Sequence, residues 1–145
     1  CMANSFHVKA TGQLKAKAFW LSAGDFNVDL APILGRFAQT PKLNEIACLC
    51  GIPGKVDTDG GSVSGMWLRG DLQGIVNYNE FDAITTHLLW ARIAHFGGLL
   101  SDEAYEKEQS LVRQLLENEI VNGKSHFERY LVEWDRLEKL VSKRM

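Results

Sequence analysis

The stretch Ile75-Val76-Asn77-Tyr78-Asn79-Glu80-Phe81-Asp82-Ala83-Ile84-Thr85-Thr86-His87 decides how the chain is read. It lies inside the longest helical pattern, from Asp71 to about Phe96, which ends at Gly97-Gly98. On a helix, Tyr78 and Asp82 are four residues apart and project from one face. A carboxylate is a hard ligand for a divalent cation, and a phenol one turn away can position a water beside it. The pairing suits metal-assisted phosphodiester hydrolysis, where the metal lowers the pKa of bound water and stabilises the leaving oxygen. Spacing alone leaves a second reading open: a surface aspartate beside a half-buried tyrosine. Asn77 is where this helix is expected to bend.

Helical patterns continue on both sides. Downstream, Ser101 caps a helix with Asp102 and Glu103 in its first turn, which favours the helix dipole. Leu111, Val112, Leu115 and Leu116 are its expected buried face. Asn122-Gly123 turns the chain, and Ser125 with Glu128 reads as a capping box. The last helix carries Phe127, Tyr130, Leu131, Trp134, Leu137 and Val141 on one stripe.

Upstream, Thr40 is a suitable N-cap and Pro41 a first helical residue. Leu43, Ile46, Ala47 and Cys50 form an apolar stripe that Gly51 stops. Residues 51–62 are a turn-rich loop, and a short helix follows through Val63, Met66 and Trp67 to Gly70. Strand signal is thin and confined to the first thirty residues. Residues 26–30 alternate like a strand, Lys17 to Leu21 read as a short buried strand or turn, and Pro32 opens a helix carrying Ile33, Leu34 and Phe37.

Composition sets the outer bounds. The 145 residues fit one domain, 1–145, with 46% hydrophobic and 23% charged side chains, an ordinary globular balance. No stretch approaches the roughly 18 apolar residues of a transmembrane helix, so no membrane association is expected. Residues 1–24 hold Lys9, Lys15 and Lys17 and no acid, whereas residues 71–145 hold 9 basic and 13 acidic side chains. The front is either mildly basic and solvated or a strip that meets phosphates. Cys48 and Cys50, two apart on a helix, face different ways and read as reduced thiols of a cytoplasmic protein. His87 and His95 are two turns apart, too far to share a metal, and the tryptophans read mainly as core. Residues 40–69 have a helix–turn–helix look, but the net charge of -2 and the lack of a basic recognition helix argue against DNA reading of that kind.

A series of motifs gives the spacing its context. In order stand Val28-Asp29-Leu30-Ala31-Pro32-Ile33-Leu34, Pro41-Lys42-Leu43-Asn44-Glu45-Ile46-Ala47, Gly51-Ile52-Pro53-Gly54-Lys55, Asp59-Gly60-Gly61-Ser62-Val63 and Tyr78-Asn79-Glu80-Phe81-Asp82. From about Val28 to Trp134 the chain resembles the predicted 3'-5' exonucleases related to the proofreading domain of family B DNA polymerases, of the RNase H-like DEDD tyrosine subclass. The resemblance implies an α/β RNase H-like fold, of which this chain is the mostly α part, lacking the first strands of the sheet. It implies Asp82 as the last of four metal carboxylates, Tyr78 as the residue that orients the attacking water, and Mg2+ or Mn2+ as cofactor. It also makes Lys55 a contact to substrate phosphate, with a solvated loop lysine as the other reading. Asp57 and Asp59 read as turn residues, and Asp29 as structural.

The resemblance also sets an expectation about completeness. Such nucleases carry an Asp-x-Glu on their first strand, and none occurs here. One aspartate does not hold two cations about 4 Å apart. The chain is therefore expected to be the C-terminal portion of an exonuclease acting on single-stranded or frayed 3' ends of nucleic acid. An N-terminal segment or a second chain would then supply the other three carboxylates. Helices made to cover a sheet would expose an apolar face and favour self-association. The competing expectation is a catalytically inactive helical binding or scaffolding module left from such a nuclease.

Overall fold

In the computed structural model, which describes residues 23–24, 27–28, 30, 41–54, 56 and 63–142, helix follows helix from Leu43 onward. The chain divides into a unit Cys1–Pro41 and a unit Lys42–Met145. In the first, β1 (Ala23–Gly24) and β2 (Asn27–Val28) pair antiparallel, with Ala23 opposite Val28 and Gly24 opposite Asn27. The strand signal at 26–30 is thus realised at Asn27–Val28, and Leu30 is already helical. The Lys17–Leu21 segment, the helix after Pro32 and the cap Thr40 lie outside the described residues.

The second unit holds α1 (Leu43–Leu49), α2 (Val63–Leu68), α3 (Leu72–Phe96), α4 (Asp102–Val121) and α5 (His126–Ser142). Helix α1 starts later than the Thr40-Pro41 signal suggests. Lys42 is its N-cap, with extended backbone at φ -68° and ψ 144°. The Glu45 carboxylate reaches back to accept the Lys42 N–H at 3.2 Å, half of a capping box. The helix ends as expected at Gly51, whose φ is 75°. There the Ile52 N–H reaches the Ala47 carbonyl at 2.9 Å and the Gly51 N–H reaches that of Cys48 at 3.1 Å. This is a Schellman ending, which favours a residue without Cβ at the left-handed position.

Helix α3 is the central element. Asp71 caps it by accepting from the Gly74 N–H at 2.8 Å. It runs unbroken through Asn77, where the Gln73 amide donates to the Asn77 side chain at 2.8 Å. This bond between residues one turn apart supports the helix where a bend was expected. Its buried residues are Phe81, Thr85, Leu88, Leu89, Ala91 and Ala94.

Helices α4 and α5 pack beside it. His87 pairs with Glu108 at 2.8 Å and His95 with Asp102 at 2.7 Å. Rising numbers on α3 meet falling numbers on α4, so the two are antiparallel. Ser101 caps α4 by accepting from the Ala104 N–H at 3.2 Å, as its sequence position suggests. The expected buried face of α4 needs correction. Tyr105, Val112 and Leu116 are buried, whereas Leu111 and Leu115 are about half exposed. Positions 105, 112 and 116 line up on one narrow stripe, and the other two leucines flank it. On α5 the expected stripe is buried at Phe127, Tyr130, Trp134 and Leu137, and half-buried at Leu131 and Val141.

An aromatic cluster fixes the rotation of α3. Phe81 stacks on Tyr130 with ring centres 5.7 Å apart and meets Phe127 edge-on at 6.1 Å. Such pairs add roughly 0.5–1.5 kcal/mol each beyond burial. The neighbouring Glu80 accepts from Lys124 at 2.9 Å and pairs with His126 at 2.7 Å, joining α3 to the turn before α5 and to its first residue.

Candidate functional site

With Phe81 turned into the aromatic cluster, the adjoining face of α3 carries Tyr78, Asp82 and Thr85, spaced four and three apart. All three line one cleft of about 490 Å³. Lys42, Leu43, Asn44 and Glu45, from the start of α1, form another part of its wall, with Gly54 of the intervening loop. The residues singled out on spacing alone, Tyr78 and Asp82, therefore do open into a common cavity. Lys55 lies outside the described residues, as do Asp29, Asp57 and Asp59.

Tyr78 and Asp82 stand one turn apart on α3, near enough for the carboxylate to act on the phenol. Partial burial first, then the charge of Asp82, push the phenol pKa above its ordinary value. Tyr78 is thus a neutral donor at physiological pH. Its oxygen lone pairs remain able to accept from a water.

Thr85 is almost wholly buried. Its hydroxyl donates to the Pro53 carbonyl at 2.8 Å and so must accept from the Tyr130 hydroxyl at 3.0 Å. The chain of bonds from α5 through α3 pins the loop after α1. Pro53 itself is fully buried. Beyond it, a Cβ on Gly54 would lie 2.9 Å from the Asn44 Cα, so the loop sits directly against the first turn of α1. Both walls of the cleft are fixed to one anchor.

The fit to a metal can be tested on the donors. Asp82 and Glu45 offer carboxylate oxygens, the hard donors that Mg2+ and Mn2+ prefer. Among the described residues, however, no three His, Cys, Asp or Glu side chains converge on one point. These residues alone do not enclose a metal ion.

The other features of interest find ordinary places. His87 and His95 pair with acids of α4, and the His95 ring stacks on Tyr105 at 4.5 Å. Cys48 and Cys50 are free thiols, and burial pushes the Cys50 thiol up despite the nearby Arg92. Trp134 is core, with the Arg113 guanidinium 4.3 Å above its ring. Trp67 departs from the core expectation, with 67% of its surface exposed. No helix among the described residues is long and apolar enough to cross a membrane.

Sequence reasoning missed Lys42, Asn44, Glu45 and Thr85 as cleft residues. Lys42 follows Pro41 at a helix start, a position with no signature of its own. The Thr85–Pro53 bond spans 32 residues and leaves no local pattern.

A family model described as a predicted 3'-5' exonuclease related to the exonuclease domain of PolB matches residues 12–134. No curated protein and no solved structure matches the chain.

Proposed function

The chain belongs to the family of predicted 3'-5' exonucleases related to the exonuclease domain of PolB, and from that premise we propose that its cleft is one wall of a phosphodiesterase site. The substrate is a single-stranded or frayed 3' end of nucleic acid, and the product a nucleoside monophosphate. The fold to which this wall belongs is RNase H-like, with 1–145 as part of one such domain. The observation that carries the reading is the Tyr78–Asp82 pair, one turn apart on α3 and facing one cleft.

Asp82 would contribute one carboxylate ligand to Mg2+ or Mn2+. When bound, such an ion lowers the pKa of water and stabilises the leaving oxygen. The other ligands would come from outside the described residues, in an N-terminal segment or a second chain. Tyr78 holds the attacking water. Its raised pKa makes it a poor general base, so it acts by orientation, donating to Asp82 and accepting from the water. Lys55 follows Gly54 directly in sequence and contacts substrate phosphate. The free thiols of Cys48 and Cys50 support a cytoplasmic setting.

The test is release of mononucleotides from a 5'-labelled oligonucleotide in Mn2+. It is run on this chain and on a longer chain containing any segment encoded ahead of Cys1. Asp82→Ala is expected to abolish release, and intact release in that variant overturns the assignment.

A second reading, a helical binding module without hydrolysis, is favoured by exposed apolar side chains. Leu49, Trp67, Leu68, Phe96 and Leu99 all stand largely in solvent. Self-association without nucleotide release, seen by light scattering alongside the same assay, would support that reading.

A further inference from the structure

The cleft around Asp82 is acidic where a nuclease must receive an anion. Asp82 and Glu45 both line it, and among the described lining residues the cation is Lys42. A phosphodiester entering there meets repulsion that an ammonium at the lip would offset.

The backbone of Lys42 is held in place. Its N–H is donated to the Glu45 carboxylate at 3.2 Å. Its carbonyl accepts from the N–H groups of Glu45 at 3.0 Å and Ile46 at 3.2 Å. Two residues on, Asn44 lies against Gly54, and the adjoining Pro53 carbonyl is bonded to Thr85 on the face that bears Tyr78 and Asp82. The Cα of Lys42 is therefore fixed relative to that pair, while its stem is exposed and free to extend. A lysine is a point charge with three rotatable donors and meets a phosphate oxygen without demanding a fork geometry.

We infer that Lys42 is a phosphate-contacting residue of this cleft, its ammonium meeting a non-bridging oxygen of the phosphodiester beside Tyr78. The inference rests on the nuclease reading and adds a contact distinct from Lys55.

The experiment is fluorescence anisotropy of a short labelled oligothymidylate in Ca2+, over a series of salt concentrations. Lys42→Gln is expected to weaken binding about tenfold. It should also lower the slope of log affinity against log salt by about 1. Lys42→Arg should recover most of the loss, and Lys139→Gln on α5 should change nothing. Circular dichroism checks that each variant keeps its helix. If Lys42→Gln binds like the unmodified chain while Asp82→Ala still abolishes mononucleotide release, the inference falls and the nuclease reading stands. If the unmodified chain neither binds the oligonucleotide nor releases mononucleotides, alone or with any segment encoded ahead of Cys1, the reading fails and the inference with it.

Discussion

Thr85 on α3 donates its hydroxyl hydrogen to the carbonyl of Pro53 at 2.8 Å, across 32 residues of chain. The same oxygen accepts from Tyr130 at 3.0 Å, and Thr85 and Tyr130 are both buried. Thr85→Val keeps the shape but leaves a buried donor and a buried acceptor unpaired. The expected cost is about 2–4 kcal/mol, seen as a lower urea midpoint with unchanged slope. Thr85→Ser should retain most of the stability.

Alkaline pH should attack the same network. Burial pushes the Tyr130 phenol far above the ordinary tyrosine value. The folded chain then holds a proton that the unfolded chain releases near pH 10. The stabilising contribution is full below about pH 10 and is lost as pH rises through the folded value. Urea titrations from neutral to strongly alkaline pH should show stability falling. Tyr130→Phe should flatten that fall while lowering stability at neutral pH.

Gly54 tests how the two walls meet. A Cβ there would lie 2.8 Å from the Asn44 Cγ and 2.9 Å from its Cα. The side chain can turn aside, but the Cα cannot without moving α1. Gly54→Ala should cost about 1–3 kcal/mol in urea unfolding. It should also weaken oligothymidylate binding, because Lys42 moves with Asn44.

Tyr78→Phe separates orientation from ligation. It removes the oxygen that would hold the water beside Asp82, yet leaves the ring in place. Mononucleotide release should fall about a hundredfold, with oligothymidylate affinity nearly unchanged. A Tyr78→Phe variant that hydrolyses at the normal rate would exclude Tyr78 from the reaction.

Much of this was legible in the sequence where the signal is periodic and local. Ser101 capping α4, Gly51 ending α1 and the α5 stripe through Tyr130 and Trp134 each follow from spacing and backbone preference alone. The Tyr78–Asp82 pair was legible for the same reason, since four residues on a helix is a geometric statement. What escaped depends on partners distant in sequence. Leu111 and Leu115 look like core by type, but α4 buries the narrower line through Val112 and Leu116. Trp67 looks like core as well, yet α2 buries Met66 and leaves the indole in solvent. Lys42 became a candidate only when its helix was seen to share a cleft with Asp82.

Tyr78, Asp82 and Thr85 occupy one line along α3, so chemistry and anchorage share a rotational phase. Adding a single residue between Asp82 and Thr85 would turn the pair by about 100° relative to the Pro53 anchor. Descendants of this chain are thus free to exchange side chains along that line but not to lengthen it. Insertions should accumulate at the helix ends instead, a pattern that comparing related sequences can check.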